Sequence, residues 1–359
     1  MTQKLLKPIK VGELELANRI FMAPLTRSRA GRSHIPTPLL ADYYAQRASA
    51  GLIFTEATMV AADGCAFTGE AGLYNEACVA GWRLVTDAVH RAGGRIVVQL
   101  WHPGRAAHSE LNGGAQPISS SDRPIRGDFI HTPGGKQAYE IPRRLNLDEL
   151  PGVISLFQQA AANARAAGFD GVEIHGAHGY LLDQFLRDSV NDRQDRYGGS
   201  IENRARLLFE AVDAAVDVFG AGRVGLRISP LVAFNDIRDS DPEALVQYVA
   251  TESQRRQLAY FDLRHDQQDR PAERRLAQLV RAHYRGTLSL NGGFDRESAE
   301  QALVEGRGDA IQFGLAYIAN PDLVERIRLG APLNIVDPET LYSPGPAGYV
   351  DYPKLSRAA

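Results

Sequence analysis

The feature that most constrains this chain is an alternation of two kinds of segment, which repeats eight times along its length. Short runs rich in β-branched and aromatic residues predict buried strands, and the longer segments between them have apolar residues at helical spacing. Such an alternation is typical of a parallel sheet covered by helices. The predicted strands span residues 19–23, 51–57, 95–100, 172–174, 224–228, 259–263, 287–290 and 310–313.

Eight repeats around one continuous core favour a closed (β/α)₈ TIM barrel within the α/β class. The alternative is an open doubly wound sheet, which is disfavoured because no Gly-x-Gly-x-x-Gly sequence follows the first strand. Residues 11–16 alternate in hydrophobicity and predict a small N-terminal hairpin ahead of the barrel. The predicted helices span residues 38–50, 79–92, 148–167, 201–219, 242–257, 271–283, 296–305 and 321–329, with an N-cap near Asn146 or Asp148 for the third.

One connection is much longer than the others. Residues 102–145 separate the third strand from the third helix, where about 4–6 residues would be usual. We interpret this segment as a loop excursion that lies over a site and has a short hairpin of its own. The alternative is a surface insertion without a function. Because no composition shift divides the sequence, we expect residues 1–359 to form a single domain.

The composition argues against several kinds of function. The net charge of −3 gives no reason to expect a nucleic acid or an anionic membrane as partner. The two cysteines, Cys65 and Cys78, lack metal-binding spacing and are typical of a reducing compartment. No apolar run has the length of a leader peptide or a membrane span. We therefore expect a cytoplasmic protein that binds no metal.

Polar side chains gather at the carboxyl ends of the predicted strands, where barrel enzymes place their active sites. His175, His178 and Tyr180 follow the fourth strand within six residues. Imidazoles can donate hydrogen bonds and a phenol can deliver a proton, so this triplet predicts a catalytic site. The alternative is a polar loop with incidental histidines. The ends of the third and fifth strands add Gln99, Trp101 and Arg227.

The last two predicted strands end in glycines instead of polar side chains. Gly292 and Gly293 follow the seventh strand, and Gly314 follows the eighth. Free backbone amides at helix N-termini bind anions, and barrels commonly bind phosphate after these two strands. The residues by themselves therefore predict a phosphate-bearing ligand on one side of the barrel mouth and a proton-transferring pocket on the other.

Seven motifs, in this order, resemble those of the Old Yellow Enzyme family and extend nearly from end to end. They are NRIFMAPLTRSRA at 18–30, YYAQRASAGLIFTEAT at 43–58, QLWHPGR at 99–105, FDGVEIHGAHGYLLDQFL at 169–186, NDRQDRYGGSIENRARL at 191–207, YIANPDL at 317–323 and GYVDYP at 348–353. Within that family, the chain is most similar to the bacterial N-ethylmaleimide and xenobiotic reductases. The resemblance implies a barrel enzyme that binds FMN non-covalently, takes hydride from NADPH or NADH, and reduces an activated alkene.

The resemblance also implies how FMN is held. Pro24, Thr26 and Ala57 would line one edge of the flavin ring. Gln99 would pair with the pyrimidine edge, and Arg227 would lie near N1 and O2, where negative charge gathers on reduction. The expected cofactor-binding residues are Pro24, Thr26, Ala57, Gln99, His175, Arg227, Gly292, Gly293, Phe313 and Gly314.

For the substrate, the resemblance implies an enal, enone, maleimide or nitro compound. His175 and His178 would bind its carbonyl or nitro oxygen, and flavin N5 would deliver hydride to the β-carbon. Tyr180 would then protonate the α-carbon. Thr26 would also touch the substrate, and the expected apolar walls are Phe67, Trp101 and Tyr349.

One position departs from the family pattern. Relatives follow the eighth strand with Phe-Gly-Arg, whose arginine grips the FMN phosphate, whereas this chain has Phe313-Gly314-Leu315. Because leucine has neither charge nor donor, we expect weaker FMN binding, unless another cation such as Arg296 replaces the arginine. Two alternatives stay open: a family-derived binding module that has lost its flavin, and a redox-neutral isomerase that uses Tyr180 as an acid. We expect a monomer or a homo-oligomer.

Overall fold

The computed structural model describes residues 3–356. Its centre is a closed barrel of eight parallel strands, in which each strand pairs with the next in sequence and the eighth pairs with the first. The barrel strands are Ile20–Met22, Ile53–Met59, Ile96–Trp101, Gly171–His175, Val224–Ile228, Tyr260–Arg264, Thr287–Asn291 and Ala310–Phe313. The predicted (β/α)₈ barrel is therefore confirmed.

Helices surround the barrel and alternate with its strands, as the sequence pattern predicts. The main helices are Pro38–Gln46, Glu76–Arg91, Leu150–Ala166, Arg206–Phe219, Pro242–Arg255, Pro271–His283, Arg296–Val304 and Leu323–Leu329. Three shorter helices, Leu181–Leu186, Ile201–Arg204 and Leu315–Ala319, lie in the connections after the fourth and eighth strands. Within residues 3–356, no helix is both long enough and apolar enough to cross a membrane.

Some helix boundaries differ from the prediction because local side chains decide them. The second helix begins at Glu76, three residues early, because the Asn75 side chain accepts a hydrogen bond from Cys78 N at 2.8 Å. The predicted caps of the third helix are wrong. It begins at Leu150, and the carboxylate of Glu149 instead accepts the Asn146 N–H at 2.7 Å.

The N-terminal hairpin is present and pairs Ile9–Val11 with Leu14–Leu16 in antiparallel register. Its apolar side chains pack with residues from the amino ends of the barrel strands, including Phe21, Phe54 and Tyr260. The Glu13 amide also donates to the Gly222 carbonyl just before the fifth strand, at 3.0 Å. The hairpin thus covers the amino end of the barrel, and a site can open only at the carboxyl end.

The long segment 102–145 contains the hairpin that we predicted for it, formed by Phe129–Thr132 and Gly135–Ala138. A second short pairing joins Ile118–Ser119 to Arg143–Arg144. The serines between these elements are buried, and the Ser119 hydroxyl donates to Gln184 Oε1 at 2.8 Å. These contacts fix the base of the excursion to the loop after the fourth strand.

Candidate active site

A tight turn after the fourth barrel strand positions the histidine pair. His178 adopts a left-handed conformation with φ of 57°, and Gly179 follows with φ of 71°. The His178 amide donates to Ser229 Oγ at 2.8 Å, and its carbonyl accepts from Asn235 Nδ2 at 2.8 Å. A Cβ on Gly179 would lie 2.8 Å from the Asn235 Cβ, so only glycine fits against this neighbour.

The turn brings the three predicted catalytic groups together. The ring centroids of His175 and His178 are 5.5 Å apart, and that of Tyr180 lies 5.1 Å from His175. The Trp101 ring stands edge-on to Tyr180 at 5.0 Å. Phe67 stacks on Trp101 with the ring centroids 6.4 Å apart, so five aromatic or imidazole rings form one cluster.

Burial sets the protonation state of these groups. Desolvation, followed by the positive charge of Arg227, lowers the pKa of His175 to about 3. The same two causes lower the pKa of His178 well below its ordinary value. Both imidazoles are therefore neutral at pH 7. Because His175 Nδ1 accepts from the Ala177 amide at 3.2 Å, its proton is on Nε2, which can donate to a ligand.

Tyr180 is the third member of the cluster. Burial is the main cause that raises the pKa of its phenol far above the ordinary value of 10. The phenol therefore carries its proton at every physiological pH. A neutral hydrogen-bond donor pair beside a protonated phenol can polarise an oxygen and supply one proton.

A cavity of about 590 Å³ opens beside this cluster. The hairpin of the 102–145 segment forms one wall, and Tyr180 and Phe67 form part of another. Asn235, which holds the histidine turn, also reaches it. The lining residues are Ser28, Ala66, Phe67, Thr68, Ala106, Asp128, Phe129, Ile130, His131, Tyr139, Tyr180, Phe234, Asn235 and Tyr342.

The structure does not bring Tyr349 to this cavity as the resemblance implied. Its ring is fully buried and stacks on Tyr43 at 3.9 Å, with an interplanar angle of 4°. Tyr342, from the same C-terminal segment, lines the cavity instead. Arg27 and Arg29 hold that segment, since each donates to the Leu341 carbonyl, at 3.0 and 2.7 Å. The sequence motif marked the segment but not which tyrosine faces the cavity.

The predicted cofactor side chains meet in the barrel interior. Gln99 Nε2 donates to Glu173 Oε1 at 2.7 Å. Arg227 forms an ion pair with Asp262 and donates to Gln312 Oε1 at 2.9 Å and to Asn291 Oδ1 at 3.0 Å. Sequence reasoning missed these three partners of Arg227. In the sequence, each of the three is recognisable only as a polar residue within a predicted buried strand or at its end.

Several buried polar atoms at the carboxyl ends of the strands have no partner within residues 3–356. They are the donors Trp101 Nε1, Arg227 Nε and Arg264 Nη1. A buried polar group without a partner costs about 1–3 kcal/mol, so such a set indicates a ligand with acceptors of its own. The residues present therefore fit the flavin of FMN.

Arg264 was not among the predicted site residues. It is the last residue of the sixth strand, pairs in register with Asn291, and is only partly exposed. Desolvation, followed by the nearby charge of Arg227, lowers its pKa. A buried guanidinium with a free donor next to the glycine turn is a candidate for an anionic or hydroxyl-bearing part of the ligand.

The glycine ends are arranged partly as predicted. Gly292 and Gly293 have φ of 132° and 74°, and a Cβ on Gly292 would lie 2.3 Å from the His265 carbonyl oxygen. Within the described residues, the amides of Gly293 and Gly314 donate no hydrogen bond to the protein. However, the N-terminus of helix Arg296–Val304 is not free as expected, because Asp295 caps it and accepts from Ser298 N at 2.8 Å.

The structure shows the surroundings of Leu315, the residue that stands where the family pattern has an arginine. Leu315 is 63% exposed, and it begins a helix of only five residues. The Arg296 guanidinium extends toward Gly330, where a Cβ would lie 2.6 Å from its Nη1. Arg296 lines a cavity with Phe313 and Gly330, whereas Arg264 ends the sixth strand and its buried Nη1 has no partner within the described residues; for this last reason we favour Arg264.

The remaining predicted residues lie on the same rim. Pro24 and Thr26 follow the first strand and are half-buried, Ala57 lies in the second strand, and Phe313 ends the eighth. In the part of the chain that the structure describes, no group of three His, Cys, Asp or Glu residues could hold a metal ion.

Comparison with known proteins gives consistent results across sequence and structure. Residues 4–334 match the model of the NADH:flavin oxidoreductase / NADH oxidase family. A probable flavin mononucleotide-dependent alkene reductase of Leishmania infantum is 46% identical over 97% of each chain. The 12-oxophytodienoate reductase 1 of Oryza sativa subsp. japonica is 44% identical over 98% of this chain and 93% of its own.

Solved structures of similar proteins have the same fold over almost the whole chain. Morphinone reductase in complex with tetrahydroNAD is 43% identical with a TM-score of 0.94 over 98% of both chains. The old yellow enzyme homologue from Zymomonas mobilis is 42% identical with a TM-score of 0.95, over 98% of this chain and all of its own. At this identity and coverage, together with the site geometry, the chain is a member of the Old Yellow Enzyme family of flavin oxidoreductases.

Proposed function

We propose that this protein is an FMN-dependent reductase of activated alkenes that uses NADPH or NADH as its reductant. The observation that carries the proposal is the cluster of two neutral histidines and a protonated tyrosine, of which Tyr180 lines the cavity of about 590 Å³. The unpartnered donors of Trp101, Arg227 and Arg264, which fit the acceptors of a flavin, support it. So do the relatives described as an FMN-dependent alkene reductase and as 12-oxophytodienoate reductases.

FMN, when bound, would supply the hydride-transfer chemistry that no side chain of this protein can supply. Thr26, Gln99 and Arg227 would hold its ring, with the amides of Gly293 and Gly314 toward its phosphate. We add Arg264 to this set, because its buried Nη1 has no partner within the described residues. Asp262, Asn291 and Gln312 would act through Arg227, by fixing the direction of its guanidinium.

The chain's own residues would then bind and orient the alkene. The Nε2–H of His175, with His178 beside it, would donate to the carbonyl or nitro oxygen and draw electron density from the double bond. Tyr180 would carry a proton on Oη and donate it to the α-carbon. Phe67, Trp101 and Thr26 would contact the substrate, and the hairpin of segment 102–145 would restrict the access of water to the cavity.

The mass of the product tests this function against a redox-neutral one. The protein, supplied with FMN and NADPH, is incubated with 2-cyclohexenone, and the product is examined by mass spectrometry. We expect the mass to rise by two hydrogens, with one coenzyme oxidised per product formed. An isomer of unchanged mass, formed without coenzyme oxidation, would contradict the proposal and favour use of Tyr180 as an acid alone.

A further inference from the structure

We call the cavity of about 590 Å³ beside Tyr180 the substrate cavity; a second cavity, of about 330 Å³, lies next to it and is strongly basic. Four arginines and one carboxylate line it, although the chain as a whole has a net charge of −3. The charged lining residues are Arg105, Arg123, Arg126, Arg238 and Asp236. We call it the arginine cleft. Positive charge that is concentrated in one cleft of a protein with a negative net charge indicates a binding site for an anion.

The base of the arginine cleft is rigid. Arg105 is only 2% exposed, and it donates to the Arg123 carbonyl at 2.8 Å. It also donates to the carbonyls of Asn235 and Asp236 at 2.9 and 2.8 Å, and its buried Nε has no partner within residues 3–356. Desolvation is the main cause that lowers the pKa of Arg105 to about 10, which leaves it charged at neutral pH.

The rim of the arginine cleft carries two cations that the protein does not neutralise. Arg123 is already engaged, since it donates to the Ser189 carbonyl at 2.9 Å and pairs with Asp192 at 3.2 Å. Arg126 and Arg238 are exposed, and neither side chain forms an ion pair with any described residue. Two free guanidiniums above a buried one can bind an oxyanion through several donors at once.

The arginine cleft and the substrate cavity share one stretch of backbone. Asn235 lines the substrate cavity, and its neighbour Asp236 lines the cleft. Both residues adopt left-handed conformations, with φ of 61° and 52°, and the Arg105 hydrogen bonds hold both carbonyls. A ligand that places one end beside Tyr180 can therefore pass over this turn and reach the arginines with its other end.

We propose that the arginine cleft binds a phosphoryl group of the nicotinamide coenzyme, namely the 2′-phosphate that distinguishes NADPH from NADH. This inference rests on the proposed function, because it requires the nicotinamide to enter the substrate cavity. A dinucleotide is long enough to extend beyond that cavity, and its 2′-phosphate is a dianion that suits two unpaired guanidiniums. The pyrophosphate of either coenzyme is the other source of the same chemistry.

The test is the double variant Arg126→Ala/Arg238→Ala, with Arg91→Ala/Arg285→Ala as the matched control. Arg91 and Arg285 are also exposed, form no ion pair with a described residue, and lie in segments that precede barrel strands, at the opposite end. Dissociation constants for NADPH and NADH come from the anaerobic reduction of the flavin by each coenzyme. A second readout, independent of the flavin, is the binding of 2′,5′-ADP and of 5′-ADP by calorimetry.

We expect the cleft variant to bind NADPH and 2′,5′-ADP at least about tenfold more weakly, since a charge-assisted hydrogen bond commonly contributes that much. NADH, 5′-ADP and the maximal rate of flavin reduction should change little, and the control should behave as the parent. Equal weakening of both coenzymes would assign the cleft to the pyrophosphate and overturn the 2′-phosphate inference. Unchanged binding of all four ligands would overturn the role of the cleft while leaving alkene reduction intact.

Discussion

At the residue scale, Tyr180 is the group whose chemistry the structure defines most clearly. Its phenol is buried, protonated and edge-on to both Trp101 and His175. The neutral His175 and His178 lie close to it and can donate without carrying a charge. In the proposed reaction, the histidines would polarise the substrate oxygen and Tyr180 would deliver the proton.

We expect Tyr180→Phe to slow alkene reduction by about 10²–10⁴-fold, the usual loss when a general acid is removed. Reduction of the flavin by NADPH needs no phenol and should be nearly unchanged. Stopped-flow measurement of the two half-reactions separates these effects. Tyr139→Phe is the matched control, because Tyr139 lines the same cavity and should affect neither half-reaction. Equal damage to both half-reactions in Tyr180→Phe would mean that the phenol positions ligands instead of donating a proton.

Sequence reasoning identified the residues of this site where they lie close together along the chain. His175, His178 and Tyr180 fall within six residues, so their convergence follows from one turn. Tyr342 was missed because its position depends on Arg27 and Arg29, which lie more than 300 residues earlier. Arg264 and Asp262 were missed because a polar residue in a buried strand does not reveal which neighbour it faces.

At the element scale, the strand order and the N-terminal hairpin follow from the hydrophobic pattern, whereas element ends do not. A cap depends on one side chain, as at Asn75, and the pattern of a whole helix does not specify it. For the same reason, the prediction of a free helix N-terminus after the seventh strand was wrong. Asp295 caps the helix N-terminus that we expected to be free, so an anion there would have to be bound by the loop amides and by a side chain.

We expect the two residues at that end to affect FMN binding in opposite directions. Arg264→Leu removes the buried free donor and should weaken FMN binding by about 10- to 100-fold, the loss of one charge-assisted hydrogen bond. Leu315→Arg should tighten it, because the exposed side chain can be extended without displacing the core. The dissociation constant of FMN, from quenching of free-flavin fluorescence, measures both.

The variant Arg296→Leu is the control for these FMN-binding measurements, and its result can also contradict the role that we assign to Arg264. Arg296→Leu removes a cation that extends toward Gly330, and it should leave the FMN dissociation constant near that of the parent. If Arg296→Leu weakens FMN and Arg264→Leu does not, the phosphate is held from the helix Arg296–Val304 and our assignment of Arg264 is wrong.

At the scale of the whole molecule, the barrel has one covered end and one open end. The N-terminal hairpin packs with Phe21, Phe54 and Tyr260 at the amino ends of the strands. His175, Arg227 and Arg264 lie at or next to the carboxyl ends of their strands, and residues of the 102–145 segment line the cavity beside Tyr180. The eightfold alternation predicted this arrangement, because the carboxyl ends of all eight parallel strands lie at the same end of the barrel.

The most direct test of the whole account is an anaerobic titration of the protein reconstituted with FMN. NADPH is added until the visible flavin absorbance is lost, and 2-cyclohexenone is then added without oxygen. We expect the absorbance to fall with one equivalent of NADPH and to return with one equivalent of enone. Flavin that binds but is not bleached by NADPH or NADH, or bleached flavin that the enone does not reoxidise, would contradict it.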